Sequence, residues 1–475
     1  MNELISMDAT TLADKIRKSQ LTPLEVTGAY IKHIHRVNPH LNAMIQNRFQ
    51  EAKQEAKKMT NQLHTRQAST SGRLFGVPIS IKESFMVKGM KTTGGLPSRQ
   101  QLVDEQDAEV VRRLKNEGAI ILGKTNTPAL CFCQETDNTV YGRTNNPWDL
   151  SRTVGGSSGG EAALIAVGGA AVGVGSDIGG SIRFPAHFNG VIGFKSGNRQ
   201  VPSEGSFPPI TFPLQEQMLG IGAFSKSVDD SQLIYEIISD HHLEKRDLQT
   251  FKVVIPDLPA DLPMQSETLR QLQHVQQLLS TEFTMHRDQP PYFQESAWMW
   301  QQIMSVDGGK NLVDLAAERG WSSVISDWTK AKIGLKPHLH PYLTWALMGA
   351  KMFKPNTQSW EKLVQLITIA QQAVDQYLRD RILILPVYHS TAPQHGKLYS
   401  EIFSIRKTFM KYMPTISYAN TFGLPTLIMP IGTDEANMPL AVQLITAVGQ
   451  EDALFQLGRY LEPLVRGYQR CTTFD

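Results

Sequence analysis

The chain has little of what holds small secreted proteins together: three cysteines, Cys131, Cys133 and Cys471, in 475 residues. Three thiols cannot build a disulfide framework, and a reducing, cytoplasmic setting is expected. The pair in "CFC" is too short to define a metal site, so these thiols read as small buried side chains. No charge dominates: 47 Lys and Arg stand against 45 Asp and Glu, spread along the chain. That balance argues against nucleic acid or an acidic surface as an obligatory partner. Long apolar runs are missing as well. Ala162 to Gly175, the most apolar stretch, is short of the roughly 18 residues that a membrane span needs. "MNELISMDATTLADKIRKSQ" has no apolar core of a secretory leader, and no integral membrane segment is expected. There is no HExxH, and His338 and His340 of "PHLHP" have no convincing carboxylate or cysteine companion, so no metal is expected.

What is present is a globular composition, 41% hydrophobic and 19% charged, enough for a large core. A length prior of about 150 residues per domain suggests two or three domains, although large α/β enzymes often form one unit. "TPLEVTGAYIKHIHRVNP" opens on a capping box, Thr22 with Glu25, and places Pro23 at the first helical position. Val26, Tyr30, Ile34 and Val37 recur at helical spacing, with Pro39 expected to end the helix. A lysine- and glutamine-rich helix follows over roughly 50–63, facing solvent. After the break at "QASTSG", strand-like "FGVPISIKES", helical "AEVVRRLKNEGA" and a buried strand "AIILG" follow. "RILILPV" and "PTLIMPIG" read as strands, and "EDALFQLGRYLEPLV" as an amphipathic helix. Strands alternating with helices indicate an α/β sheet core. Residues 230–375 differ, with aromatic-rich helices in "ESAWMWQQIM" and "PYLTWALMGAKMF". No internal repeat or low-complexity linker divides the chain.

Two short motifs invite over-reading. "GAIILGKT" satisfies the phosphate-loop pattern, but the intervening Ala119, Ile120, Ile121 and Leu122 form an apolar run suited to a buried strand. "VGGSSGG" satisfies G-x-S-x-G with either Ser157 or Ser158 central. A nucleophile elbow needs a strand leading directly into the turn, whereas "TNNPWDLSRTV" reads as a loop. A Ser-His-acid arrangement with His187, His389 or His395 stays open at this level.

Three stretches taken together are more specific: "GVPISIKESFMVKGMKTTGG" with Lys82, "VGGSSGGEAAL" with Ser157, and "GVGSDIGGSIRFPAHFNGVIGFK" with Ser181. In this order, with Lys82 75 residues before Ser157 and Ser181 24 after it, they resemble the amidase-signature hydrolases. "YGRTNNPWD" and "GVGSDIGGSIRFPAHFNG" look most like the fatty acid amide hydrolases. The resemblance extends to the terminal "SYANTFGLPTLIMPIG" and "MPLAVQLI" and spares the middle. One departure is "FKSGNRQVP", where Ser196 replaces a proline usual after the lysine equivalent to Lys195.

The resemblance implies one α/β domain over 1–475, with α/β/α layers around a large mixed sheet. Its parts would be N-terminal helices (1–68), a signature core (69–230), a variable, mostly helical substrate-side region (231–375) and the C-terminal part of the core (376–475). It implies hydrolysis of linear carboxamides, with lipophilic N-acyl amides as one class, through an acyl-enzyme on Ser181. Ser157, after a cis peptide, would relay protons, and Lys82 would act as the base behind it. Backbone N–H groups of Ile178, Gly179, Gly180 and Ser181 would form the oxyanion site. Ser158, Asp177 and Arg183 would support the loop, the last two as an ion pair. Esters, carbamates or anilides fit the same route, and the glutaminase subunit of a tRNA-dependent amidotransferase shares the signature. The implied partner is a small amide, with no cofactor; the family pattern leaves room for a homodimer.

Two physical expectations follow. A free lysine titrates near ~10.4, so Lys82 must be buried for its amine to be neutral, and Glu83 must point away from it. Trp298, Met299, Trp300, Trp345, Met348 and Phe353 would either line an acyl channel or form the core of the middle helices.

Overall fold

Among the described residues, eleven segments with strand-forming sequence pair into one mixed sheet. They are β1 (Met44–Asn47), β2 (Pro78–Lys82), β3 (Ile120–Thr125), β4 (Val172–Asp177), β5 (Ile192–Lys195), β6 (Gly220–Ser225), β7 (Lys252–Val254), β8 (Met285–His286), β9 (Arg381–Pro386), β10 (Thr426–Thr433) and β11 (Pro439–Ile445). The order across the sheet is β1-β3-β2-β4-β6-β5-β10-β11-β9-β7-β8. β2 runs parallel to both β3 and β4, whereas β4, β6, β5, β10, β11 and β9 are successively antiparallel. The computed structural model describes residues 2–65, 72–403 and 406–475. Most of "QASTSG" and the boundary expected after residue 68 lie outside the described residues.

The central strands are buried on both faces, which is why they read as near-continuous apolar runs. Helices cover the sheet: Gly159–Ala166 packs on β4, Val228–Ile238 on β6 and β5, and Arg183–Asn189 on β11. This is the α/β architecture expected. The middle region is mostly helical but also supplies β7 and β8, the last two strands at one edge. A smaller apolar cluster joins Leu96, Leu130 and Phe207 to Val313, Val324, Leu343 and Leu347 of the middle helices. It seats those helices against the loop segments around Leu96, Leu130 and Phe207. Among the described residues, no helix is long and apolar enough to cross a membrane.

"GAIILGKT" forms a turn and then β3, with Gly123, Lys124 and Thr125 inside the strand. Lys124 is buried, donating to Lys91 O and Thr92 Oγ1 at 2.7 Å each, so no phosphate loop forms. The first long helix corrects one expectation: it runs Pro23–Leu41, with Pro39 inside its last turn. The stop lies at Asn42, left-handed at φ 52°, whose N–H reaches Asn38 O. Asn38 completes that end by accepting from Ala43 N (2.9 Å) and Met44 N (2.8 Å).

The capping box at the other end is complete. Thr22 Oγ1 accepts from Glu25 N at 3.2 Å, and Glu25 Oε2 accepts from Thr22 N at 2.9 Å. Thr22→Ala should cost about 1 kcal/mol, seen as a lower urea midpoint at unchanged slope. Turnover should not change.

Candidate active site

β2 places Ser80 and Lys82 on one face of the sheet, because side chains two apart on a strand share a face. Ile79 and Ile81 point to the other. β4 runs alongside and ends at Asp177, and the chain then turns through Ile178–Ile182 into helix Arg183–Asn189. The 153–158 loop meets both, leading through a cis Gly156–Ser157 peptide into helix Gly159–Ala166. Residues far apart in sequence therefore converge at the carboxyl ends of two neighbouring parallel strands.

Lys82 is fully buried. Its Nζ is hydrogen-bonded to Ser157 Oγ at 2.7 Å and to Ser176 Oγ at 3.1 Å. Burial pushes its pKa below the ordinary lysine value, opposed by the Cys131 thiol and by the carboxyl groups of Asp177 and Glu161. Ser157, Ser181, Ser176 and Cys131 line one cavity of about 110 Å³. Ser158 ties the two serine loops together: its N–H donates to Ser181 O at 3.2 Å and its hydroxyl to Ser176 O at 3.3 Å.

Three buried carboxyl groups surround this lysine, and each has different partners. Glu83 turns away from Lys82. It accepts from Thr93 N and Oγ1 and from Gly94 N, with the Lys124 charge nearby. Asp177 is fully buried with Arg183, at 3.1 Å to Nε and 3.0 Å to Nη2. Burial alone would raise the Asp177 pKa, but the guanidinium charge and its hydrogen bonds hold it well below the usual carboxylate range. Among the described residues, Glu161, on helix Gly159–Ala166, has only hydroxyl partners, Ser80 at 2.6 Å and Thr125 at 2.8 Å. Its carboxyl lies against Gly173, where a Cβ would collide with it. With no N–H donor in contact, burial pushes its pKa up to about 8. That shift favours its uncharged form beside Lys82.

Asp177 also orders the turn after β4. It accepts from Gly180 N and Ile182 N at 2.9 Å each. The Gly180 N–H, expected among the oxyanion donors, is thus engaged by Asp177. By contrast, the N–H groups of Ile178, Gly179 and Ser181 have no protein acceptor among the described residues. These three are the open donors beside Ser181. Lys195 Nζ donates to Ser196 O and Leu424 O at 3.0 Å each. The Ser196 hydroxyl accepts from Ile221 N at 3.1 Å, so the serine that departs from the family pattern is accommodated.

The Ser-His alternative finds no geometry here. The chain entering Ser157 is a loop, not a strand. His187 contacts Ser390 O and Ala441 N, His389 contacts Glu401, and His395 contacts Leu150 O. None is bonded to either serine.

Several residues were not legible as site residues. Cys133 is buried, as read from "CFC", but Cys131 is only partly buried, left-handed at φ 57°, in contact with Thr127 Oγ1 at 3.2 Å and close enough to Lys82 to favour its charged form. No spacing rule marks it. Glu161 and Ser176 stand inside quoted motifs and were passed over because their partners come from other strands. The aromatic candidates divide. Trp300, Trp345, Met348 and Phe353 line a second cavity of about 530 Å³, with Trp328 and Phe409. Met299 is fully buried core, and Trp298 packs against that core. Phe132 and Met304 line both cavities, which places them side by side.

The fold and this constellation define an amidase-type enzyme acting on amide C–N bonds. The amidase family model matches residues 25–455, and the chain belongs to that family. Among curated relatives, it is 31% identical to fatty-acid amide hydrolase 2-B of Danio rerio, covering 98% of this chain and 91% of that protein. It is 30% identical to fatty-acid amide hydrolase 2 of Homo sapiens, covering 98% and 90%. It is 27% identical to a glutamyl-tRNA(Gln) amidotransferase subunit of Trichormus variabilis, covering 94% and 95%. The fold is that of the peptide amidase from Stenotrophomonas maltophilia (TM-score 0.81, 21% identity, 99% of each chain).

Arg183→Met would leave Asp177 as an unpaired buried charge and should destabilise by about 3–5 kcal/mol. A denaturation midpoint equal to that of the parent would contradict this account of the turn.

Proposed function

We propose that the chain hydrolyses linear carboxamides with an apolar acyl group, through an acyl-enzyme on Ser181. The observation that carries this reading is the 2.7 Å contact between a fully buried Lys82 amine and Ser157 Oγ, in the cavity that Ser181 also lines.

A neutral Lys82 takes the Ser157 proton as Ser157 takes that of Ser181, and Ser181 Oγ bonds to the carbonyl carbon. The carbonyl oxygen becomes an oxyanion facing the N–H groups of Ile178, Gly179 and Ser181; each such donor is worth about 2.7–4 kcal/mol. As the C–N bond breaks, the proton returns from Lys82 through Ser157 to the leaving nitrogen, and the amine departs. Water then adds to the acyl carbon and gives its proton to the same pair. Collapse releases the carboxylic acid and restores the Ser181 hydroxyl. The ester, carbamate and anilide alternatives use the same steps with a different leaving group.

The neighbouring cavity supports an apolar acyl chain, being lined by Trp300, Trp328, Trp345, Met348 and Phe353 with no charged residue among those described. This weighs against a glutaminase role, because free glutamine carries an ammonium and a carboxylate that need charged partners. Among the described residues, Asp307 is the one charged side chain lining the catalytic cavity, and its carboxylate already accepts from Gly309 N and Asn311 N. The likeness to the fatty-acid amide hydrolase 2 proteins points the same way.

A series of N-acyl p-nitroanilides and N-acyl amides should give kcat/KM rising with acyl length. Ser181→Ala should lose at least about a thousandfold, by analogy with other activated nucleophiles. Full turnover by that variant, or a preference for acetyl compounds, would overturn the mechanism or the acyl pocket respectively.

The pH profile tests Lys82. Its ammonium form cannot accept the Ser157 proton, so activity is present above its pKa and lost as pH falls through it. Because burial lowers that pKa, the acid limb should lie below the ordinary lysine value of ~10.4. Glu161→Gln keeps hydroxyl contacts and carries no charge, so it should leave the limb in place. A shift toward acid of about one unit, equivalent to ~1.4 kcal/mol, would show that Glu161 acts as an anion.

A further inference from the structure

The two cavities share Phe132 and Met304, and Trp300, which lines the larger one, holds the loop that carries the open N–H donors. Trp300 lies on helix Glu295–Met304, well outside the signature motifs. Its indole Nε1–H donates to Ile178 O at 2.7 Å. In a trans peptide the C=O and N–H of one unit point in opposite directions. Turning the Ile178 carbonyl toward Trp300 therefore aims the Gly179 N–H away from it, and that N–H is one of the donors without a protein acceptor among the described residues. The Gly179 carbonyl is held separately, by Gln134 Nε2 at 3.2 Å.

The ring also presses on this loop directly. A Cβ at Gly179 would lie 2.6 Å from Trp300 Cζ2, so only glycine permits the approach. The opposite side of the arrangement is firm. Trp300 stacks on Phe409 with ring centroids 5.6 Å apart. Its helix is pinned to helix Pro414–Thr421 by Ser296 Oγ to Ser417 Oγ at 3.1 Å and by Thr421 Oγ1 to Ser296 O at 3.0 Å. A chain lying in the 530 Å³ cavity would touch the indole that orients Ile178.

We propose that Trp300 is a positioning and specificity-determining residue: it links filling of the apolar cavity to the aim of the Gly179 N–H beside Ser181. This rests on the reading of Ser181 as the nucleophile. The consequence is that acyl length is expressed in kcat and not in KM alone, since contacts remote from the reacting bond then act through the transition state.

The test compares the parent with Trp300→Phe and Trp300→His on acetyl and dodecanoyl p-nitroanilides, with melting curves for each variant. Trp300→Phe keeps an aromatic wall and lacks the N–H. Its kcat should fall about tenfold on the dodecanoyl substrate, less than loss of an oxyanion donor itself, and by less on the acetyl one. The kcat advantage of the long acyl group then shrinks, while KM for the long substrate stays within about twofold. Trp300→His restores a ring N–H and should recover part of kcat, which a role in packing alone would not produce. Parental kcat in Trp300→Phe, or an effect confined to KM, would overturn the proposal. Fluorophosphonate labelling separates the two possible failures. Label on Ser181 at an unchanged rate in Trp300→Phe removes the role of Trp300. Label on another residue removes Ser181 as nucleophile, and this inference with it.

Discussion

A lysine amine with no exposure and hydroxyl neighbours is the constraint around which this site is arranged. Taking an ammonium out of water is costly, so burial favours the neutral amine. A carboxylate in contact would reverse that preference. The surrounding structure has three carboxyl groups close to Lys82 in sequence or space, and it deals with each differently. Glu83 is turned toward backbone N–H groups of 93–94, and Asp177 is matched by Arg183. Glu161 is left with two hydroxyls that can accept as well as donate. The charge state of the lysine thus depends on where three other side chains find their partners.

The same economy orders the turn beside Ser181. One buried ion pair, Asp177 with Arg183, takes up the N–H groups of Gly180 and Ile182. What it leaves untouched defines the open donors. Arg183 in turn reaches Ile416 O, Gln443 and Asn420, which binds the turn to the C-terminal strands and helices. A loop that reads locally as glycine-rich and pliable is held from three directions, with Trp300 and Gln134 fixing the carbonyls that Asp177 does not touch.

The middle helices contribute through contact and not through motif. They bring the indole against Gly179, and they enclose an apolar space next to the small cavity that Ser157 and Ser181 line. Strand β2 and the loops after it carry Lys82, Ser157 and Ser181, and the added helices bound the space beside them. This division fits a family in which one core serves different amides. Between the two cavities, Phe132 comes from the loop after β3 and Met304 from the end of a middle helix, so both parts of the chain meet at the junction.

The order and spacing of Lys82, Ser157 and Ser181 were readable from the chain, as were the capping box at Thr22 and the strand character of "AIILG". Local patterns suffice there because capping and strand burial are satisfied within a few residues, and the motifs carry the family resemblance. Pro39 misled, because Asn38 and Asn42 decide that helix end through their side-chain and left-handed geometry. The state of Gly180, the roles of Cys131 and Glu161, and the approach of Trp300 to Ile178 lay beyond reach. Each depends on a partner from another strand or helix, and no periodicity records which backbone N–H an aspartate will take. The sequence by itself determined which groups are available for the chemistry. Tertiary packing decided which are buried, which N–H groups stay open, and which side chains wall the neighbouring cavity, because those properties belong to burial and to long-range hydrogen bonds.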